Sequence, residues 1–481
     1  MPIINVTDIL KNSFKLSPNN YTNIEINSIN MKELNSFVDN IDKGIEIGTQ
    51  NYVSISKYHF LRTSAFSEQL FSLRVDNNSF INMNPNVFID KSLSKGDILI
   101  CKDSNVGEVV LLDDDIENTM FSAGINRIKF KKDYKYFFAV MKNDKFKKQL
   151  ETLIPKGATL KHAKDLYLKC KVPISTNKNE IKHIENIVDI IMHKENLINK
   201  QKEFIDNYIY EEINNNQKKL EYTYQFPTAK EIILNNRLDT GTYTDEFKEI
   251  DFKIKNYKYG FYMIDPKKIK GGNTPKKRYI KEDLTLKYLW ITPTYINDNG
   301  TILNNTSIEC EINNINENCA LIINRTSKGG EGEFVGISSY YDYNMNGKAQ
   351  HNQGIYKVFN YDDNELIYIT CMMNSEYYRK YCANLSMGSK MKELKLNNIL
   401  QIPFPKFELD KKIYIKNLYY NKEEKREILN EKEFLIKNYE WDNKAGLLDL
   451  YYSVKNAKKE LNKIVNNLYE GKKNEIEYKI Y

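Results

Sequence analysis

The stretch NEIKHIENIVDIIMHKENLINKQKEFI (residues 179–205) decides the architecture, because its apolar residues recur at alternating steps of three and four. Neither glycine nor proline occurs between residues 176 and 225, so nothing there interrupts a helix. This spacing is typical of the narrow stripe by which one helix packs on another, and not of a strand. The stripe has seven aliphatic residues in nine positions: Ile181, Ile184, Val188, Ile191, Glu195, Ile198, Lys202, Ile205 and Ile209.

A second stripe with the same spacing lies further along the chain. All seven of its positions are apolar: Leu447, Leu450, Val454, Ala457, Leu461, Ile464 and Leu468. Since a narrow apolar stripe needs a partner, we expect the two helices to pair with each other as an antiparallel coiled coil. The alternative is two independent helices, each packed on its own domain.

Outside these helices the sequence is duplicated. Residues 96–104 (GDILICKDS) match 319–327 (CALIINRTS) at an offset of 223, and 124–128 (GINRI) match 354–358 (GIYKV) at 230. Residues 140–146 (VMKNDKF) match 371–377 (CMMNSEY), and the block 156–175, which contains Pro173, matches 387–405, with Pro403 as the matching proline; both lie near an offset of 231. Four blocks in one order indicate two copies of one domain.

The copies are predicted to be mixed α/β domains, because short β-branched runs bounded by Asn, Asp and Gly predict strands. We therefore expect an α/β (mixed α+β) fold with two similar domains separated by long antiparallel coiled-coil helices. The segments are domain one (1–175), a spacer helix (176–220), domain two (221–406) and a C-terminal helical region with a second spacer helix (407–481). Residues 407–442 are either a helical arm or a docking element.

Composition places the chain among soluble multidomain proteins. It has 481 residues, a net charge of +7 and six scattered cysteines without a CxxC pair. No apolar run approaches the roughly 18 residues of a membrane span, so we expect a cytoplasmic protein with reduced thiols and no membrane partner. Lysine and arginine concentrate at 127–148 and 265–281, which indicates either solvated surfaces or surfaces for phosphates.

Catalytic motifs are missing from the sequence. It has no GxxxxGK[ST] loop for a nucleotide, no NPP[YF]-type loop for base methylation, no HExxH metal pair and no nucleophile elbow. The chain is therefore predicted to be a binding component and not an enzyme, with no metal of its own.

Several blocks resemble the specificity subunits of type I restriction–modification systems. They are 95–112 (KGDILICKDSNVGEVVLL), 154–174 leading into 179–205, 237–247 (RLDTGTYTDEF), 271–280 (GGNTPKKRYI) and 289–302 (LWITPTYINDNGTI). The resemblance covers nearly the whole chain, and the duplicated order is its most specific feature. Copy one departs from it at 43–53 (KGIEIGTQNYV), where the family has a glycine–threonine–proline turn.

The resemblance implies tandem target-recognition domains that bind a bipartite, asymmetric site in double-stranded DNA. It also implies two modification (adenine methyltransferase) subunits docked on the helices, and restriction motor-nuclease subunits. S-adenosylmethionine, ATP and Mg²⁺ are then expected on the partner subunits and no cofactor on this chain. A helix over 178–214 would span roughly 55 Å at ~1.5 Å per residue, which suits two half-sites with an unread spacer.

Candidate DNA-binding residues are hydrogen-bonding and cationic side chains on the predicted loops, since reading base edges needs donors and acceptors beside phosphate-binding cations. Their alternative is ordinary hairpin turns and solvated loops. They are Arg62, Thr63, Ser64, Lys102, Ser104, Lys156, Thr159, Lys161, Thr274, Lys276, Lys277, Arg278, Thr292, Thr294, Arg325, Thr326, Ser327, Lys328, Ser389, Lys390 and Lys392.

Two rival functions remain open at the level of the sequence. One is a self-contained nuclease with an unrecognised active site, which would cleave DNA without other subunits. The other is a coiled-coil scaffold that binds only protein, which would show no salt-dependent retention of DNA.

Overall fold

The computed structural model describes residues 28, 30–74, 79–154, 162–218, 220–235, 237–238, 240–297, 300–326, 334–388, 391–425, 427–428 and 430–481. Internal contacts divide the chain into two compact units. Unit 1 comprises Met1–Leu197, Glu424–Asn443 and Leu450–Tyr481, and unit 2 comprises Ile198–Glu423 and Lys444–Asp449. The helical segments are thus shared between the two units and do not form a unit of their own.

The first domain copy, in unit 1, combines small sheets with a helix pair. Its strands and helices are β1 (Met31–Glu33), β2 (Val38–Lys43), β3 (His59–Leu61), β4 (Phe80–Asn82), β5 (Ile98–Cys101), β6 (Val109–Leu111), β7 (Thr119–Phe121), β8 (Ile125–Phe130), α1 (Tyr134–Lys142), α2 (Asp144–Leu153) and β9 (Lys171–Pro173). The strand orders are β2-β8-β5-β6 and β4-β3-β7, and β1 pairs with β9. Strands β3 and β7 are parallel, whereas the other pairs are antiparallel.

The central helices precede the second copy, which lies in unit 2. They are α3 (Lys178–Asn215), α4 (Ala229–Asn235) and α5 (Asp245–Lys255). Then come β10 (Phe261–Tyr262), β11 (Ile269–Gly271), β12 (Arg278–Lys281), β13 (Tyr288–Ile291), β14 (Ser307–Cys310), β15 (Cys319–Ile323), β16 (Arg325–Thr326), β17 (Ser338–Tyr341), α6 (Tyr343–Asn346), β18 (Ala349–His351), β19 (Ile355–Val358), α7 (Asp363–Asn374), α8 (Glu376–Leu385), β20 (Lys392–Glu393), α9 (Leu396–Ile399) and β21 (Phe404–Pro405). Helices α10 (Leu409–Tyr419), α11 (Glu431–Asp442) and α12 (Leu447–Glu470) follow.

The two copies share one sheet topology. The orders β11-β19-β15-β17 and β14-β13-β18 repeat β2-β8-β5-β6 and β4-β3-β7, and β12 adds a strand beside β14. The parallel pairing of β3 with β7 also recurs, as β13 with β18. The chain therefore has a mixed α/β fold with a duplicated domain and long antiparallel helices, as the sequence predicts.

The registers correct the sequence alignment at two places. Ile98 lies opposite Ile128, and Ala320 lies opposite Val358, so the offset between β5 and β15 is 222 and not 223. A shift of one residue matters, because it exchanges the two faces of a strand. The corresponding prolines are Pro173 and Pro405, since their carbonyls accept hydrogen bonds from the equivalent hydroxyls of Tyr136 (3.0 Å) and Tyr368 (2.6 Å). Pro403, the residue expected from the sequence, is not the counterpart of Pro173.

Each copy has its own hydrophobic core between the two sheets. In copy one, Leu61, Leu99 and Phe121 bring β3, β5 and β7 together, and in copy two Ile291, Leu321 and Ile355 join β13, β15 and β19. Asn143 separates the two helices that follow β8. Its side chain accepts a hydrogen bond from the N–H of Lys145 (2.9 Å) and so caps the N-terminus of α2. The strand ends that carry loops are therefore fixed by packing within each copy.

Within unit 1, the first half of α3 packs antiparallel to α12. Glu195 forms an ion pair with Lys458 (2.5 Å), whereas Glu180, fifteen residues earlier, accepts a hydrogen bond from Asn474 (2.9 Å) beyond the end of α12. Glu195 also accepts a hydrogen bond from the N–H of Phe71 (3.0 Å), which ties the helix to copy one. The buried surface of α3 is wider than the predicted stripe, because it includes Ile187 and Ile190.

Within unit 2, the second half of α3 has a different partner, which corrects the expectation that the two stripes pair along their whole length. Glu212 accepts from Lys411 (2.5 Å), and the rings of Tyr208 and Tyr414 lie 4.8 Å apart, so α10 covers this half. The physical reason is length, since α3 has 38 residues and α12 only 24. Residues 407–442 thus contain two short helices, α10 and α11, that flank α3.

Two further observations concern the chain's chemistry. All six cysteines are free, and five of them are buried. Among the described residues, none of the helices is long and apolar enough to cross a membrane, and no three His, Cys, Asp or Glu side chains converge as metal ligands.

Candidate nucleic-acid interface

A close approach between two loops requires glycine at corresponding places in the two copies. The N–H of Gly272 donates to the carbonyl of Ile355 (3.0 Å), and that of Gly44 to the carbonyl of Ile125 (3.1 Å). A Cβ atom on Gly272 or Gly44 would lie 2.0 Å from a backbone oxygen, that of Asn352 or Ser122. The segment 43–48 (KGIEIG) of copy one is therefore the structural counterpart of 271–275 (GGNTP) in copy two, although the residues that follow the equivalent glycines Gly44 and Gly272 differ.

The turns after β3 and β13 also correspond. Arg62–Ser64 leaves the strand that runs parallel to β7, and Thr292–Thr294 leaves the strand parallel to β18. Both turns continue as a 3-10 helix, Thr63–Ala65 and Pro293–Tyr295. In copy two the hydroxyls of Thr292 and Thr294 are 2.7 Å apart. Arg62–Ser64 in copy one and Thr292–Thr294 in copy two therefore occupy equivalent turns.

The turns after β5 and β15 meet the turns just described around one glycine in each copy. In copy one, a Cβ atom on Gly124 would lie 3.0 Å from the Cγ2 of Thr63 and 3.3 Å from the Cβ of Asp103. In copy two, a Cβ atom on Gly354 would lie 2.8 Å from the Cγ of Pro293 and 3.1 Å from the carbonyl oxygen of Arg325. The structure therefore brings predicted residues from separate loops together at the same end of each copy.

Of the remaining predicted residues, Thr274, Lys276 and Lys277 precede β12 and Arg278 begins it. Thr326 and Lys392 lie opposite each other in the β16–β20 pair, and Lys102 and Ser104 flank Asp103, with Ser104 in the left-handed region (φ 62°). The others lie outside the residues that the structure describes, and these are Lys156, Thr159, Lys161, Ser327, Lys328, Ser389 and Lys390.

The two basic clusters differ in how their charges are used. Most cations of the 127–148 cluster are neutralised within the protein, and burial lowers the pKa of Lys142 to about 8. The ion pairs of that cluster join Arg127 to Asp42 and Asp97, Lys132 to Asp133, Lys135 to Asp189, Lys142 to Glu108, Lys145 to Glu470, and Lys147 to Glu68 and Glu108. Lys276 and Lys277 are exposed, and neither forms an ion pair with an acid in the described part of the chain. The loop 271–278 of copy two is therefore the better surface for phosphates.

A polar network under this loop was missed by the sequence analysis. The Nε2 of buried Gln350 donates to the Asn273 side chain (2.7 Å), as does the Nδ2 of Asn314 (3.1 Å). The Nδ1 of His351 lies 2.7 Å from the Oδ1 of Asn314, and burial lowers the pKa of His351 to about 3. Met120 is the counterpart of Gln350 in copy one, because it pairs with Phe60 as Gln350 pairs with Trp290. Comparing the copies residue by residue would have exposed this exchange of an apolar for a polar side chain.

Comparisons with known proteins give similarity in structure but not in sequence. No protein-family model matches the chain, and no curated protein matches it. The chain is similar to a type I restriction–modification system S subunit from M. genitalium, with 14% identity, a TM-score of 0.40 and coverage of 93% of this chain and 96% of the other. It is also similar to a chain from a type I R-M system assembly (12% identity, TM-score 0.29, 92% and 97% covered) and to the HsdS subunit from Thermoanaerobacter tengcongensis (10%, 0.29, 92% and 96%).

Proposed function

We propose that this chain is the DNA-specificity subunit of a type I restriction–modification complex. Each domain copy binds one half of a bipartite, asymmetric double-stranded DNA site. The chain is not itself catalytic and directs two adenine methyltransferase subunits and the motor-nuclease subunits to that site. S-adenosylmethionine, ATP and Mg²⁺ then belong to the partners.

One observation carries this proposal, namely that equivalent loops converge around Gly124 and Gly354 with different side chains in the two copies. A shared scaffold with different loop chemistry is what recognition of two unlike half-sites requires. The 38 residues of α3, roughly 57 Å at ~1.5 Å per residue, support a bipartite site, since a helix of that length exceeds one turn of B-DNA at ~34 Å.

The purified chain tests the proposal directly. Alone with DNA and Mg²⁺ it should neither cut nor methylate, and methylation should begin when a cognate modification subunit and S-adenosylmethionine are added. Cleavage by the chain alone would support the nuclease alternative. The absence of salt-dependent DNA binding would support the protein-only scaffold.

The phosphate-binding role of the copy-two loop is tested by the double variant Lys276→Gln/Lys277→Gln. The slope of log K against log[salt] should become smaller by about two, because roughly 0.9 counterion is released for each neutralised phosphate. The matched control is Lys258→Gln/Lys406→Gln, which removes two exposed lysines beside β10 and β21. An equal change of slope in both variants would count against this loop.

A further inference from the structure

The two copies carry opposite charges at one equivalent loop position. Asp103 follows Lys102, whose N–H donates to the carbonyl of Gly124 (2.8 Å), and Arg325 follows Asn324, whose N–H donates to the carbonyl of Gly354 (2.9 Å). Asp103 and Arg325 are therefore counterparts. The sequence alignment conceals this relation, because its offset of 223 pairs Lys102 with Arg325.

The residue that faces this position from the neighbouring segment also differs between the copies, and it is a histidine in copy one and an acid in copy two. The N–H of Ala163 donates to the carbonyl of Lys102 (2.8 Å), and that of Leu394 to the carbonyl of Asn324 (2.7 Å), so His162 corresponds to Glu393. Asp103 bridges to His162, with 2.6 Å between Oδ1 and Nδ1, and Arg325 pairs with Glu393 in the β16–β20 ladder. Copy one thus has an acid facing a histidine where copy two has a base facing an acid.

The position is at the surface and beside the convergent turns. The side chains of Asp103 and His162 are 31% and 53% exposed, and those of Arg325 and Glu393 are partly exposed. None of the four contributes to the hydrophobic cores. A reversal of charge at a partly exposed position on an otherwise preserved scaffold changes what the surface binds and leaves the fold intact.

We propose that Asp103 and Arg325 are equivalent base-reading residues that give the two half-sites opposite hydrogen-bonding character, an inference that rests on the proposed function. Asp103 accepts a hydrogen bond from the N4 amino group of a cytosine, and Arg325 donates to the O6 and N7 of a guanine, the pairings that major-groove geometry favours. His162 is a positioning residue that holds the Asp103 carboxylate in place, and Glu393 is the ladder partner of Arg325. The half-site of copy one then contains a cytosine, and that of copy two a guanine, at the base that faces this position.

The experiment uses the full chain assembled with its cognate modification subunits. A randomised DNA library is methylated and sequenced, and the wild-type complex establishes the two half-sites. If the wild-type complex methylates no bipartite motif, the proposed function itself fails. If it does, Asp103→Asn and Arg325→Gln are compared with it in the same library.

Asp103→Asn should reduce the preference for one cytosine in the first half-site by about ten-fold or more, and Arg325→Gln should do the same for one guanine in the second, while the other half stays unchanged. Arg325→Lys separates base reading from phosphate binding, because lysine keeps the charge but lacks the two-pronged donor. It should weaken the guanine preference and keep the salt dependence of DNA binding. His162→Gln should weaken the same cytosine preference less than Asp103→Asn does.

Exposed Asp114 and Lys348 provide the controls Asp114→Asn and Lys348→Gln, which should leave both half-sites as in the wild type. Thermal melting verifies that each variant is folded. If Asp103→Asn does not fold, Asp103→Glu, which keeps the carboxylate but moves it, replaces it in the same comparison. The inference is overturned if folded Asp103→Asn and Arg325→Gln complexes keep every base preference within two-fold of wild type, or if Arg325→Lys behaves as the wild type.

Discussion

The buried ion pair between Lys194 and Asp442 permits a quantitative test of how α3 and α11 are held together in unit 1. Both side chains have no solvent exposure, and the Nζ of Lys194 donates to Oδ1 of Asp442. The ammonium also lies 4.7 Å from the centre of the Trp441 ring. The second carboxylate oxygen, Oδ2, accepts no hydrogen bond from the described residues. The pair is therefore incompletely compensated for its removal from water.

Burial raises the pKa of Asp442 from 3.8 to about 6 and lowers that of Lys194 from 10.5 to about 8. Burial therefore disfavours both charges even though each lies beside its partner. Lys194→Met should therefore destabilise unit 1 by about 3–5 kcal/mol, because it removes the lysine partner of a buried carboxylate. The Nε2 of His193 stays 3.8 Å from the Oδ2 of Asp442 in this variant. The double variant Lys194→Met/Asp442→Leu should be neutral or more stable than wild type by about 1–4 kcal/mol.

The two single variants should respond to pH in opposite directions. A carboxyl with a raised folded-state pKa loses stability as pH rises through that pKa, so Lys194→Met should recover as the pH is lowered from 7 towards 5. An amine with a lowered folded-state pKa loses stability as pH falls through its unfolded value, so Asp442→Asn should recover as the pH is raised from 7 towards 9.

Urea unfolding followed by tryptophan fluorescence measures these differences. The chain has two tryptophans, so a Trp290→Phe background leaves only Trp441, beside the pair, as the reporter. The control is Lys437→Met, which removes the partner of Glu440 in a surface pair and should change stability by less than about 1 kcal/mol. A double variant less stable than both single variants would refute the reasoning.

Three further predictions concern recognition, assembly and acid stability. Exchanging residues 1–175 for the corresponding domain of another specificity subunit should alter one half of the methylated motif, and sequencing that shows both halves altered would contradict modular recognition. Ile191→Asp or Leu461→Asp places a charge at a buried position and should cost at least about 2–5 kcal/mol. Binding to the full site should then fall while binding to each half-site remains, as titrations with full-length and half-site duplexes would show; unchanged full-site affinity would argue against the paired helices. Burial between Phe434 and Tyr478 lowers the pKa of His183 to about 4, so stability should fall as pH drops from 6.5 towards 4, by up to roughly 3 kcal/mol. His183→Phe should flatten that part of the stability profile, although the charges of nearby Glu460 and Lys479 remain.

Local patterns in the sequence were sufficient for the long helix, the duplication and the mixed fold class. The long helix α3 could be predicted because its apolar spacing depends only on residues that are close in the sequence. The duplication could be read because two copies that fold alike keep matching turns and apolar runs in one order. The convergence of Arg62–Ser64 with Lys102–Ser104 needed tertiary structure, since 37 residues (65–101) separate the turns in the sequence and packing around Gly124 joins them. The DNA-contacting role of these residues stays a prediction.

The sequence by itself determined that the chain contains two related domains and two striped helices. Only the tertiary structure decided the partners of those helices, because apolar spacing specifies a face but not what covers it. Helix α12 covers the first half of α3, and α10 covers the second. Strand register was likewise decided by three-dimensional pairing, because a slip of one residue changes the alignment score little but reverses the strand's faces. That one-residue difference makes Asp103 of copy one the counterpart of Arg325 of copy two, so that equivalent loops carry opposite charges.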